Sequence, residues 1–232
     1  MLLKSLVLAV CVAGFIDANQ ISSRAQAPQA PPAGRAQGAR QTAPPAPDPT
    51  KPAKLEVIEG TTARYKVREQ LAGISFPSDA VGTTQAVTGT IVINPDGTLD
   101  VKQSKLTVDL RTLKSDQQMR DGYVQSQTLD TAKFPFIEFV PKRAEGLPKP
   151  LPAGMQAQAG FKLIGDMTLH GVTKEVTWTV IATFGADLVG GRATTTLAFA
   201  DFGIPKPSLA RLLSVDDKIE LEIEFRCKRS AL

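Results

Sequence analysis

The sequence predicts an all-β domain, an antiparallel sandwich or barrel of about eight strands with one or two short helices. Three observations lead there. Apolar and polar residues alternate in several segments, most plainly in "KIELEIEFRCK", where Ile219, Leu221, Ile223 and Phe225 share one face and Glu220, Glu222 and Glu224 the other. Turn signals separate these segments, as at Asn94-Pro95-Asp96-Gly97. Helical spacing is confined to two short stretches beyond residue 55. With 42% hydrophobic and 22% charged residues in 232, the chain can bury a core.

The first 27 residues read as a signal peptide. Lys4 supplies the positive start, an apolar run extends from Leu6 to Ile16, and Ala25-Gln26-Ala27 offers small residues for cleavage. The run is shorter than the roughly 20 apolar residues that a membrane-spanning helix needs. Export to the periplasm or beyond is therefore expected. Residues 28–53 are rich in Pro, Ala and Gln, with Pro44, Pro45, Pro47, Pro49 and Pro52 crowded together, and they show no apolar period. Such a stretch buries too little to offset the entropy of ordering and is expected to be a disordered linker. The folded domain is expected over 54–229.

Within it, strands are expected over Arg64–Glu69, Ala86–Asn94, Thr98–Leu110, Phe136–Lys142, Gln156–Leu169, Val172–Phe184, Leu188–Ala200 and Lys218–Lys228. In "SDQQMRDGYVQSQ", Ser115 followed by Gln118 resembles a capping box, and Met119 and Tyr123 share a helical face. A second short helix or turn is expected over Pro207–Leu213. Both helical segments are placed to cover a barrel mouth. Removal of the signal peptide takes Cys11 and leaves Cys227. Cys227 keeps step with the apolar set, so a buried thiol is expected; an intermolecular bond, and with it a homodimer, is left open.

The composition limits the chemistry. "GDMTLHGVTKEVTWTV", Gly165–Val180, holds the single histidine and the single tryptophan. A catalytic histidine needs an orienting carboxylate and a nucleophile, and a histidine metal ligand needs companions. His170 stands at the turn between two strands, where a ring nitrogen can tie the turn by hydrogen bonding. Catalytic and metal-binding residues are therefore read as none. The carboxylates near apolar strands, Asp109, Glu138 and Asp166, alternate away from the apolar faces. The net charge of +4 is spread along the chain without a nucleic-acid-binding motif, so no nucleic-acid partner is expected.

The same residues carry a resemblance. "GDMTLHGVTKEVTW" resembles the hallmark hairpin of the YceI-like family of exported, lipid-binding β-barrels. "VDLRTLKSDQQMRDGYVQSQTLDTAKFPFIEFVPKR" is similar to that family's strand, helix and following strand, with Arg120-Asp121 and Lys133-Phe134-Pro135 on its motif positions, and "DDKIELEIEF" to its closing strand. The resemblance spans roughly residues 60–228. It implies a lipocalin-like antiparallel barrel whose apolar cavity takes a polyisoprenoid lipid, such as a quinone or polyprenyl phosphate, with no other cofactor.

The cavity wall is expected to include Val108, Leu110, Ile137, Phe139, Leu163, Met167, Val176, Trp178, Ile219, Leu221, Ile223 and Phe225, each on the apolar side of its alternation. For an anionic head, Lys114, Arg120 and Arg211 are the candidate partners. The expected function is that of an exported binding or carrier protein for a hydrophobic or amphiphilic small molecule, with transient membrane contact. The competing readings are an envelope stress or structural protein with a packed barrel, and an enzyme that uses the cavity. A lipid co-purifying with the protein separates a carrier from a packed barrel.

Overall fold

The computed structural model describes residues 48–152 and 157–232. The expected signal peptide and the linker up to residue 47 lie outside the described residues. The chain forms β1 (Ala53–Val57), β2 (Thr62–Leu71), β3 (Ser78–Thr84), β4 (Val87–Ile93), β5 (Lys105–Asp109), β6 (Lys114–Ser115), α1 (Gln118–Tyr123), β7 (Phe136–Glu145), β8 (Ala157–Leu169), β9 (Val172–Phe184), β10 (Leu188–Ala198), β11 (Leu212–Val215) and β12 (Lys218–Ala231). Every pairing is antiparallel. One ring runs β1-β4-β5-β7-β8-β9-β10-β12 and closes through β12 on β1, an eight-stranded barrel.

Three bent strands account for the other segments. β1 and β2 both lie along β12: Val57 pairs with Cys227 and Thr62 with Glu224, so the first strand carries two more residues than its partner at the bend. Gly60 takes φ of +90° there, a conformation that favours glycine. Thr61, only 1% exposed, repairs the ladder: its hydroxyl donates to the Arg226 carbonyl at 3.1 Å and accepts from the Arg226 amide at 2.9 Å. β3 continues into β4 past Gln85, where the Thr84 hydroxyl accepts from the Ala86 amide and bonds Thr112 at 2.6 Å. β5 continues into β6 past a 3₁₀ turn over Leu110–Thr112, capped by the Asp109 side chain. Beyond the bends β2, β3 and β6 pair as an extension of the wall at one end of the barrel.

The glutamates of β12 face outward between two arginines. Arg64 of β2 meets Glu222 and Glu224 at 3.0 and 3.2 Å, and Arg192 of β10 meets the same pair, each at 3.3 Å. Asp109, Glu138 and Asp166 also lie in outer pairs, with Arg111, Lys105 and Lys142. The Arg111 hydrogen bond holds the Asp109 carboxyl below its usual value.

Several elements depart from expectation. Thr98–Leu110 is not one strand: after the Asn94–Gly97 turn, Asp100 accepts from the amides of Lys102 and Gln103, and the ladder resumes only at Lys105. Ser115 does not cap a helix. Gln117 is the N-cap, and Ser115 sits in β6, its amide and hydroxyl both donating to Asp121. Of the short helix or turn expected over Pro207–Leu213, the turn is what forms, at the end of an irregular segment and leading into β11, which pairs with β2. β1, β3 and β11 have no strong sequence signal. β1 starts at Ala53, the last residue expected in the linker, and β12 runs two residues past Arg229.

Candidate ligand-binding cavity

The barrel encloses a cavity of about 880 Å³, lined mainly by apolar side chains. Close-packed interiors leave few voids larger than a water molecule. The closed end is packed by Ile93, Leu99, Leu147, Phe184 and Val189, all buried, with the Cys227 thiol on the same wall. Burial pushes that thiol up to about 12. There the guanidinium of Arg229 donates to the Pro152 carbonyl at 2.6 Å and ties the 146–152 loop to β12.

Of the twelve expected wall residues, eleven line the cavity: Val108, Leu110, Ile137, Phe139, Leu163, Met167, Trp178, Ile219, Leu221, Ile223 and Phe225. Val176 does not. It is buried in the core opposite Gly165, where the backbone of Val140 and Pro141 and the tip of the Phe139 ring take the space a Gly165 side chain would fill. Phe139 and Trp178 meet edge to face at 6.2 Å. The sequence reading missed the contribution of β1 to β3, which supply Leu55, Val57, Tyr65, Val67, Glu69 and Ala80. The signal for β2 was present, since Tyr65, Val67 and Leu71 alternate with Lys66, Arg68 and Gln70; Glu69 is the one charged residue in the inward set.

At the mouth, α1 and the segment from Ile204 to Leu212 meet over the opening, where the Tyr123 hydroxyl accepts from the Ser208 amide at 3.3 Å. Arg120 of α1 reaches back to Glu69 at 2.7 Å and also pairs with Asp116. The Glu69 and Arg120 side chains are 10% and 15% exposed, and both line the cavity. Arg211 lies on the exposed rim. Lys114 does not line the cavity: it is exposed on β6, which turns it away from the lumen.

His170 is a turn residue. It has φ of +53°, Gly171 has φ of +76°, and together they close the β8–β9 hairpin between Leu169 and Val172. No ring nitrogen of His170 makes a hydrogen bond among the described residues. The ring packs on Phe134 instead, at 4.7 Å between centroids, and Lys133 covers the Phe134 ring at 5.0 Å. The two sequence motifs, the His170-Gly171 hairpin and Lys133-Phe134-Pro135, thus pack on each other. Among the described residues, no three His, Cys, Asp or Glu side chains are grouped to hold a metal.

A closed antiparallel barrel of eight strands around an apolar cavity is an architecture with room for one small molecule. The chain belongs to the YceI-like family: the model for the YceI-like domain matches residues 58–227. A UPF0312 protein from Pseudomonas putida (strain W619) is 36% identical over 129 residues, which are 50% of this chain and 62% of that protein. This chain thus spans less than two thirds of the length of the curated relatives it matches. Among solved structures, the polyisoprenoid binding domain from Saccharophagus degradans implicated in plant cell wall breakdown aligns with a TM-score of 0.58 at 12% identity, covering 77% of this chain and 98% of that one. The Campylobacter jejuni YceI protein aligns with a TM-score of 0.53 at 18% identity, covering 68% and 90%. At such identities these structures share the fold.

Proposed function

We propose that this protein is an exported carrier that takes the long apolar tail of an amphiphilic lipid, of the polyisoprenoid kind, into the barrel. The observation that carries the reading is the cavity itself. Its 880 Å³ lies near the upper end of the roughly 300–1,000 Å³ range of small-molecule pockets, and its wall is apolar from Leu110 to the closed end at Phe184. Each methylene buried there gains about 0.8 kcal/mol, so a tail of several isoprene units is held without any polar contact. The family supports a lipid: one structural relative is a polyisoprenoid binding domain.

The packed-barrel reading is weaker, because a structural barrel of eight strands has no need of so large a void. The signal-like first 27 residues support export to the periplasm or beyond, and the proline-rich residues 28–53 support a tether. The mouth supports transient membrane contact, since Ile74, Met119 and Leu209 line it and are exposed, Met119 by 86%, and Phe76, in the same β2–β3 loop as Ile74, is 78% exposed. Solvent extraction of the purified protein followed by mass spectrometry tests the reading. A stoichiometric lipid with a long unsaturated tail supports it. Protein that stays lipid-free and takes up no lipid from vesicles sinks it.

A further inference from the structure

The two segments that meet over the mouth are held to the barrel separately. α1 is anchored at the neck by the Arg120–Glu69 pair, and its Asp121 carboxylate accepts from the amide and hydroxyl of Ser115. The 204–212 segment is anchored by Lys206, which meets Asp217 at 2.7 Å, and by the Arg211 carbonyl, which accepts from the Ala72 amide at 2.8 Å. Between the segments, among the described residues, the one hydrogen-bonding link is the Tyr123 hydroxyl. It accepts from the Ser208 amide at 3.3 Å and lies 3.5 Å from the Ser208 carbonyl, both long for hydrogen bonds. α1 has six residues, none of them buried, and no side-chain cap, so little packing holds it down. Apolar surface continues from the lumen to the outside on both segments: Met119 and Leu209 line the cavity and are exposed, while Val124 and Leu212 line it half-buried.

We propose that a lipid bilayer is the effector that opens this mouth: contact of the rim with a membrane parts α1 from the 204–212 segment, and in water the Tyr123–Ser208 latch keeps the cargo in. The inference rests on the lipid-carrier reading and adds its regulation. Parting the segments uncovers Val124, Leu212 and the apolar lining behind them. In water that exposure is unfavourable in proportion to its area; against acyl chains the cost disappears. A partner shifts an equilibrium only by its difference in affinity for the two states, and the bilayer has one here, in favour of the parted state. The exposed Ile74, Met119 and Leu209 supply apolar contact at the membrane interface. Arg211, exposed beside Leu209 on the rim, supplies a cation for the lipid phosphates. A second copy of the chain on the same rim would seal the path that the cargo must cross, so the surface is assigned to the bilayer.

The test loads the purified full chain with a tritiated polyprenol and follows its release. Two acceptors are compared: vesicles of phosphatidylcholine and phosphatidylglycerol, and methyl-β-cyclodextrin, which takes up lipid but offers no surface. Wild-type release to vesicles should rise in proportion to vesicle concentration. It should exceed release to cyclodextrin by about tenfold or more, the factor that corresponds to about two methylene groups no longer uncovered to water. Tyr123→Phe, and Ser208→Pro, which removes the amide donor, should each speed release to cyclodextrin by about two- to tenfold, the loss expected of one hydrogen bond. Release that is equally fast to both acceptors and independent of vesicle concentration overturns the proposal while the carrier reading stands. Release to cyclodextrin at the wild-type rate by the Tyr123→Phe protein does the same. A rate to vesicles that falls as protein concentration rises, with dimers in sedimentation, gives the rim to a second copy and also overturns it. Protein that loads no polyprenol overturns both readings. The comparison of acceptors needs no variant, so a Ser208→Pro protein that fails to fold does not remove the test.

Discussion

The His170 ring rests on the Phe134 ring at 4.7 Å, tilted by 58°, and the glycine beside it leaves the space for that contact. A Cβ on Gly171 would stand 2.7 Å from Cε1 of Phe134, on a backbone with φ of +76°. The hairpin end of β8–β9 is thereby pinned to the segment entering β7. Gly171→Val should lower stability by about 2 kcal/mol or more, through left-handed strain and a clash together. His170→Asn, which tolerates positive φ and removes the ring, should lose about 1 kcal/mol and leave lipid uptake intact. Thermal unfolding and uptake measured on both variants check this; a His170→Asn protein of wild-type stability that takes up no lipid contradicts the turn assignment.

Thr61 should be the most sensitive polar residue of the wall. Thr61→Val keeps the shape but leaves the amide and carbonyl of Arg226 without their hydroxyl partner in a buried bend. Each orphaned group costs about 1–3 kcal/mol. Denaturant unfolding should show a loss of about 2–4 kcal/mol, and Thr61→Ser should restore most of it.

A charge on the inner face should not be tolerated. Leu221 lines the cavity across from Tyr65. Leu221→Glu buries a carboxylate with no cation provided for it, a loss of several kcal/mol unless the group stays protonated. The expected result is an unfolded protein, or a folded one that takes up lipid only at acid pH. Soluble Leu221→Glu with unchanged uptake at neutral pH would place that face outside the barrel.

Alkaline pH should destabilise the fold, beginning near pH 9. Cys227 is pushed up to about 12 from 9.0 and Tyr65 to about 12 from 10.0, chiefly by burial in both cases. The folded state holds both protons more tightly than the unfolded state. Their stabilising contribution is full below the unfolded values and is lost as pH rises from about 9 toward 12, by up to about 1.4 kcal/mol per pH unit for each group. The melting temperature should fall over that window, and Cys227→Ala should remove the part that begins near pH 9. A curve for Cys227→Ala that superimposes on the wild type would show the thiol to be accessible in the folded state.

The exposed apolar side chains at the mouth should act on transfer and not on stability. Phe76→Ser with Met119→Ser should leave thermal unfolding within about 0.5 kcal/mol of wild type, as surface changes usually do. Lipid transfer between vesicles should slow severalfold. Equal transfer rates would mean that the rim does not meet the bilayer.

Alternation by itself determined most of the barrel wall from β5 onward: β9 was read residue for residue from Val172 to Phe184, and eleven of the twelve expected wall residues lie on the lumen. The reason is that a long strand wet on one side must repeat with period two, and period two leaves only one choice of face. What alternation carries no record of is depth along the barrel and pairing across it. Val176 has the right face, but it sits opposite Gly165, where the β7 backbone and the Phe139 ring close in, and it does not reach the lumen. β3 has no apolar pattern of its own and exists because β2 offers it a ladder, and β11 forms beyond the turn at Ala210–Arg211 for the same reason. Arg120 and Glu69 are 51 residues apart, and the sequence reads the first as a candidate head-group partner and the second only as the end of a strand. Only the closure of the barrel, which brings α1 down on the inner face of β2, makes them a buried pair at the neck.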